Sequence, residues 1–100
     1  MNYDWDVAKN KWLEENRKIN FEEVVSLIEA GFLIAILKHP KKLNQKVLVI
    51  ERDGYAYNVP FVEGSGGKYF LKTIYPSRTS TKKYIGEGKN EENTPEYRRN

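Results

Sequence analysis

Residues 47–62, Val47-Leu48-Val49-Ile50-Glu51-Arg52-Asp53-Gly54-Tyr55-Ala56-Tyr57-Asn58-Val59-Pro60-Phe61-Val62, decide the fold. Two runs rich in β-branched and aromatic residues flank Asp53-Gly54, a dipeptide that accepts the two positive φ angles of a type I′ turn. The stretch therefore predicts an antiparallel hairpin with strands over residues 47–52 and 55–62. A two-residue turn also sets the register. Arg52 opposes Tyr55 and Ile50 opposes Tyr57, which puts these four side chains on one face and Glu51 and Asn58 on the other. Both faces mix apolar and polar groups, so neither is marked as the open one.

Upstream, residues 32–37 form a continuous apolar run, too short for a helix and suited to a strand buried on both faces. Before it, Phe21, Val24, Val25 and Ile28 give an apolar helical stripe over residues 21–30, ended by Gly31 in the left-handed conformation. Asn20 and Glu23 approximate a capping box at its start, with Ile19 and Val24 at the staple positions. Trp5, Ala8, Trp12 and Leu13 recur at helical spacing, so a first helix is expected over residues 6–17, capped by Asp4 or Asp6, with both tryptophans in the core. Downstream, residues 63–67 read as a loop and residues 68–75 as the last strand, which Pro76 stops. Ser77, Thr79 and Ser80 offer caps for a short basic helix through Ile85, which Gly86 ends. The expected fold is α+β: two N-terminal helices packed on a four-stranded antiparallel meander, plus a short C-terminal helix. Residues 1–86 make one domain with one sheet face partly open, and residues 87–100 a polar tail expected to fray.

At 100 residues and 39% hydrophobic content the chain has material for one core. It contains no cysteine, which removes disulfides, thiolate nucleophiles, cysteine zinc sites and iron–sulfur clusters. A single histidine and scattered carboxylates give no metal-ligand spacing, and no phosphate-cradling glycine motif precedes a helix, so neither metal nor cofactor is expected. The N-terminus lacks the cationic-then-apolar pattern of a secretory signal and no apolar run could span a bilayer. A cytoplasmic protein without membrane contact is expected.

Charge is unevenly placed. Residues 1–30 hold four basic and seven acidic groups, whereas residues 31–86 hold ten basic and three acidic ones. Between residues 68 and 83 lie five cations, Lys68, Lys72, Arg78, Lys82 and Lys83, with no carboxylate and with Tyr69, Phe70 and Tyr75 interleaved. Such a stretch favours a polyanion such as RNA, although a run of five cations is also what a solvated surface looks like.

The element order, together with Tyr3-Asp4-Trp5-Asp6, Asn20-Phe21-Glu22-Glu23 and Pro76-Ser77-Arg78, resembles the BrnT family of toxins from bacterial toxin–antitoxin modules. Members open with an aromatic-x-Trp-Asp segment, continue with a Phe-Glu-Glu-Ala-type second helix and close with a strand running into Ser-Ala-Arg and a basic helix. The resemblance spans residues 3–86. It implies a RelE-like fold, metal-independent RNA cleavage by attack of a ribose 2′-hydroxyl on the adjacent phosphate, and a small DNA-binding antitoxin partner, the ribbon-helix-helix type being one candidate. The chain departs from the pattern after the arginine. Arg78-Thr79-Ser80-Thr81-Lys82-Lys83-Tyr84 replaces an alanine and a Glu-Arg pair, Tyr84 stands where the acid is expected, and Lys38-His39-Pro40 is foreign to the family.

Such chemistry needs a base, an acid and a cation for the phosphorane. Arg78 suits the last role, since a guanidinium binds phosphate through a bidentate fork; its structural alternative is a salt bridge. His39 is the side-chain type that exchanges protons near neutrality, though a histidine before proline is more commonly a turn residue. Tyr84, Lys46, Lys82 and Lys83 could move protons where neighbouring cations ease deprotonation, and are otherwise solvated or packed. Lys68, Lys72, Lys82 and Lys83 are candidate phosphate contacts. Among the tyrosines, Tyr57 and Tyr75 are candidates to stack bases, against ordinary strand packing. The rival reading is a non-catalytic module whose basic face receives nucleic acid or an acidic peptide.

Overall fold

The computed structural model describes residues 2–86; the expected tail lies outside the described residues. The order is β1 (Asn2–Trp5), α1 (Val7–Arg17), α2 (Phe21–Glu29), β2 (Leu33–Lys38), β3 (Gln45–Arg52), β4 (Tyr55–Glu63), β5 (Lys68–Leu71), β6 (Tyr75–Pro76) and α3 (Arg78–Ser80), which continues into a π turn over Thr81–Ile85.

The hairpin forms in the expected register, with Arg52 opposite Tyr55 and Ile50 opposite Tyr57, and Asp53 and Gly54 at φ 55° and 79°. Its apolar side, Leu48, Ile50, Val59 and Phe61, carries α1 and α2, whose Leu13, Ile19, Phe21 and Val24 complete the core. Capping sets how the helices enter. Asp6 accepts the Ala8 N–H, and the Asn20 side chain accepts the Glu23 N–H at 2.8 Å while Ile19 and Val24 are both buried. Gly31 takes φ 95° directly after α2. Lys18 also adopts a left-handed conformation, φ 58°, which is costly for a side chain. Arg52 helps to hold it there: its Nη2 donates to the Lys18 carbonyl at 2.9 Å while its Nε donates to Glu23 at 2.8 Å.

Four expectations need correction. Among the described residues the sheet has six strands and is mixed, in the order β1-β5-β4-β3-β2, with β6 also paired to β4. The extra strands arise at both ends of the reading. Trp5, grouped with the first helix by its spacing, belongs with Tyr3 to β1, which lies parallel to β5 and pairs Tyr3 with Tyr69. The single last strand is interrupted between Leu71 and Tyr75, where the pairing with β4 shifts by one residue. Pro60 explains why that is tolerated. The N and O of a strand residue point to the same side, and the Pro60 carbonyl accepts from Lys72 N, so the missing Pro60 donor faces the interruption.

The run at residues 32–37 is not buried on both faces, because β2 is an edge strand and Ile36 is 49% exposed. Trp12, finally, is not a core residue. Its neighbour Leu13 fills the core, adjacent helical positions diverge by about 100°, and Trp12 is left 42% exposed. Trp5 does pack inward, stacked on Phe21 at 5.5 Å.

Candidate nucleic-acid interface

On the sheet face opposite α1 and α2, α3 and the π turn pack against β4, and polar side chains hold that layer down. Ser77 caps α3 by accepting the Ser80 N–H at 3.0 Å. The Ser80 hydroxyl donates to Asn58 Oδ1 at 2.9 Å. Thr81 does more: its hydroxyl donates to the Ser77 carbonyl at 2.7 Å and accepts the Ala56 N–H at 2.8 Å, completing a strand donor with a side chain. Ser77, Ser80 and Thr81 are all buried, and burial of hydroxyls is tolerated when each finds partners. Turning these residues inward leaves Arg78, Thr79, Lys82 and Lys83 exposed on the outer side.

Strand register brings much of the remaining basic run to the same side. Asn58, held by Ser80, lies on the α3 side; Tyr75 pairs with Asn58 and, by alternation, Val62 with its partner Phe70 shares that face. Lys68 precedes Phe70 by two residues, and the Lys72 ammonium sits 5.5 Å over the Phe70 ring. Lys68, Lys72, Tyr75, Arg78, Lys82, Lys83 and Tyr84 therefore belong to the α3-bearing side of the sheet. Tyr75 is 38% exposed, Tyr84 is half-buried with Lys83 Nζ 5.3 Å from its ring, and Lys68 lies 4.0 Å from Asp4.

The other candidates are elsewhere. Lys46 pairs with Phe61, on the α1/α2 side, and lies 3.7 Å from Glu63. Tyr57 is on that side too, packed against the core, edge-on to Tyr55 at 6.2 Å and under the Arg52 guanidinium. Burial alone would lower the Arg52 pKa, but Glu23 and Tyr57 outweigh it and the guanidinium is held above its ordinary value. His39 stands in the β2–β3 loop, where Nδ1 accepts the backbone N–H groups of Lys41 and Lys42 at 3.1 and 3.2 Å. That is a turn-closing role. α3 packs near Ala56 and Asn58, which pair with Glu51 and Val49, whereas His39 lies beside Gln45, to whose carbonyl its N–H donates at 3.0 Å, about four residues or on the order of 13 Å from Val49 along β3. The structure thus groups Arg78 with Lys82, Lys83 and Tyr84, and separates that group from His39 and Lys46.

Among the described residues no three histidine, aspartate or glutamate side chains cluster as metal ligands, and no helix is long and apolar enough to cross a membrane. An open groove of about 390 Å³ lies at the β1 edge, lined by Asn2, Tyr3, Trp5, Val25, Glu29 and Lys68. Of the candidates only Lys68 reaches it. Phe70, one of the aromatic residues interleaved with the cations in the sequence, lies on the α3-bearing side beneath the Lys72 ammonium.

No protein-family model matches the chain, and no curated protein does. The fold does match a solved structure, the crystal structure of the Brucella abortus ribonuclease toxin BrnT. The TM-score is 0.57 at 15% identity, over 77% of this chain and 96% of that one. The chain has a BrnT-like fold.

Proposed function

We propose that this BrnT-like chain is a metal-independent ribonuclease of a toxin–antitoxin module, acting on RNA in the cytoplasm and restrained by a cognate antitoxin. The observation that carries the reading is the buried hydroxyl layer of Ser77, Ser80 and Thr81, which turns Arg78, Lys82 and Lys83 outward on the same side of the sheet as Lys72 and Tyr75. Likeness in fold to a ribonuclease toxin supports it. In this reading RNA lies along the basic side through its phosphates, and Arg78 supplies the cation that steadies charge on the phosphorane as the 2′-hydroxyl attacks. Tyr84 and the lysines of the π turn are the proton carriers nearest to it in sequence.

A second reading has its own support. His39 and Lys46 lie away from the Arg78 group, so the chain could bind RNA or an acidic protein segment without cleaving it. Incubation with RNA in the presence of a chelator decides. Fragments ending in 2′,3′-cyclic phosphate, produced by the wild-type chain and lost with Arg78→Ala, support the ribonuclease; tight binding with intact RNA supports the module.

A further inference from the structure

We infer that Trp12 is a stacking platform for one unpaired base of a single-stranded RNA, at the sheet margin where the strand leaves the basic side. Trp12 is 42% exposed on α1, and the fold does not use it in the core, since Leu13 fills that place. Two cations flank its ring: Lys9 Nζ is 4.5 Å and the Arg17 guanidinium carbon 5.0 Å from the centroid. Arg17 is also anchored, because its Nη1 donates to the Ile74 carbonyl at 2.6 Å. Ile74 immediately precedes Tyr75, the exposed aromatic on the other side of the sheet.

Arg17 therefore ties the Trp12 ring to the backbone that carries Tyr75. At this end β6, paired with β4, takes the place that β5 holds further along, and β1 pairs with β5, so β6 forms the margin among the described strands. Two exposed aromatic rings thus flank one margin, with Arg17 between them and Lys72 three residues before Tyr75. Rings alternating with cations are what single-strand surfaces use, bases stacking while phosphates meet the charges. Lys9, on a flexible stem, can swing from the ring to a phosphate as a base enters; Glu15, exposed one turn after Trp12, is the carboxylate the backbone must avoid. A cation–π pairing that merely braces the surface of α1 would account for Lys9, but not for the tie from Arg17 to Ile74.

The inference rests on the reading of the chain as an RNA-acting protein, and two probes separate the two. One is a 2′-O-methyl oligouridylate of about ten nucleotides, which lacks the nucleophilic hydroxyl and stays intact. The other is inorganic polyphosphate, which has the charge but no base. The oligonucleotide should quench tryptophan emission in the wild type and in Trp5→Phe. Trp12→Ala should abolish the quench and weaken oligonucleotide binding about 5- to 150-fold, the effect of removing one stacked base, while leaving polyphosphate binding and the melting temperature near wild type. Trp12→Phe should fall between. Equal oligonucleotide affinity for wild type and Trp12→Ala overturns the platform, even if the chain cleaves unmodified RNA. So does equal weakening for both probes, which would mean charge or folding rather than stacking. A wild type that binds neither probe overturns the RNA reading and the platform together.

Discussion

The two layers on this sheet are held by different physics. On one side α1 and α2 are fixed by apolar packing around Phe21, Phe61 and Leu13, and Glu23 of α2 pairs with Arg52 of β3. On the other side a short C-terminal segment is fixed by hydroxyls that stand in for backbone partners, and its cations face outward. Apolar burial scales with area and suits the layer that carries stability. A few buried hydrogen bonds contribute less but fix orientation more sharply, which suits a layer that must present charged groups in one geometry. The buried residues of the helical layer should therefore answer to stability measurements, and the basic layer to activity.

The largest effect should come from the helical layer. Phe21→Ala removes a fully buried ring stacked on Trp5 and should cost about 3 to 5 kcal/mol in denaturant unfolding. A loss below about 1 kcal/mol would mean that this packing does not hold the layer. Next in size is Arg78→Ala, which should slow RNA cleavage roughly 100- to 1000-fold, about 2.7 to 4 kcal/mol of transition-state stabilisation, and leave the melting temperature almost unchanged because Arg78 is exposed. Arg78→Lys should recover only part, lacking the fork. An active Arg78→Ala protein, or an inactive one that melts early, breaks the division of labour.

Thr81→Val sharpens the comparison at an intermediate size. The substitution keeps the shape and removes a buried hydroxyl, leaving the Ala56 N–H without its acceptor, for a cost of about 1 to 3 kcal/mol. Hydrogen exchange at the Ala56 amide should rise well above that of the core amides of β3. Uniform loss of protection would instead make the two layers one cooperative unit.

What could be read from the sequence follows the same line between local and distant causes. The Asp53-Gly54 turn, the Asn20 cap, the Gly31 stop and the Ser77 cap each depend on residues within about four positions, and each stands as read. β1 does not announce itself that way. Its pairing partner is β5, more than sixty residues away, and the only local trace is the alternation of exposed Asn2 and Asp4 with half-buried Tyr3 and Trp5. The helical spacing of Trp5, Ala8 and Trp12 crosses the strand-to-helix break at Asp6, so it grouped residues of two elements. For the basic side, the run of cations was visible, but its attachment by Ser80 to Asn58 and Thr81 to Ala56 joins residues more than twenty apart. Capping alone explains Ser77; nothing in its neighbourhood says where the helix it caps will dock.

The smallest prediction uses pH to separate the layers. Tyr3 lies half-buried on the helical side, its ring edge-on to Tyr69 at 5.9 Å. Burial raises its pKa first, and the nearby Tyr69 and Glu29 raise it further, since a phenolate there would add negative charge beside them. In the unfolded chain Tyr3 ionises near its ordinary value of about 10, while in the folded chain it keeps its proton to higher pH. Above about pH 10 the unfolded state therefore binds fewer protons than the folded one, and stability falls as pH rises through that window. Tyr3→Phe cannot ionise, so its unfolding midpoint should fall less than that of the wild type between about pH 8 and pH 10.5. Comparing the two proteins cancels what the other tyrosines and the lysines contribute to both. The hydroxyls of Ser77, Ser80 and Thr81 do not titrate in this range, so substituting Tyr3 should not alter exchange at the Ala56 amide relative to the β3 core. If the pH profiles of wild type and Tyr3→Phe coincide, ionisation on the helical side does not set alkaline stability; if the substitution also alters protection of Ala56, the two faces of the sheet are coupled.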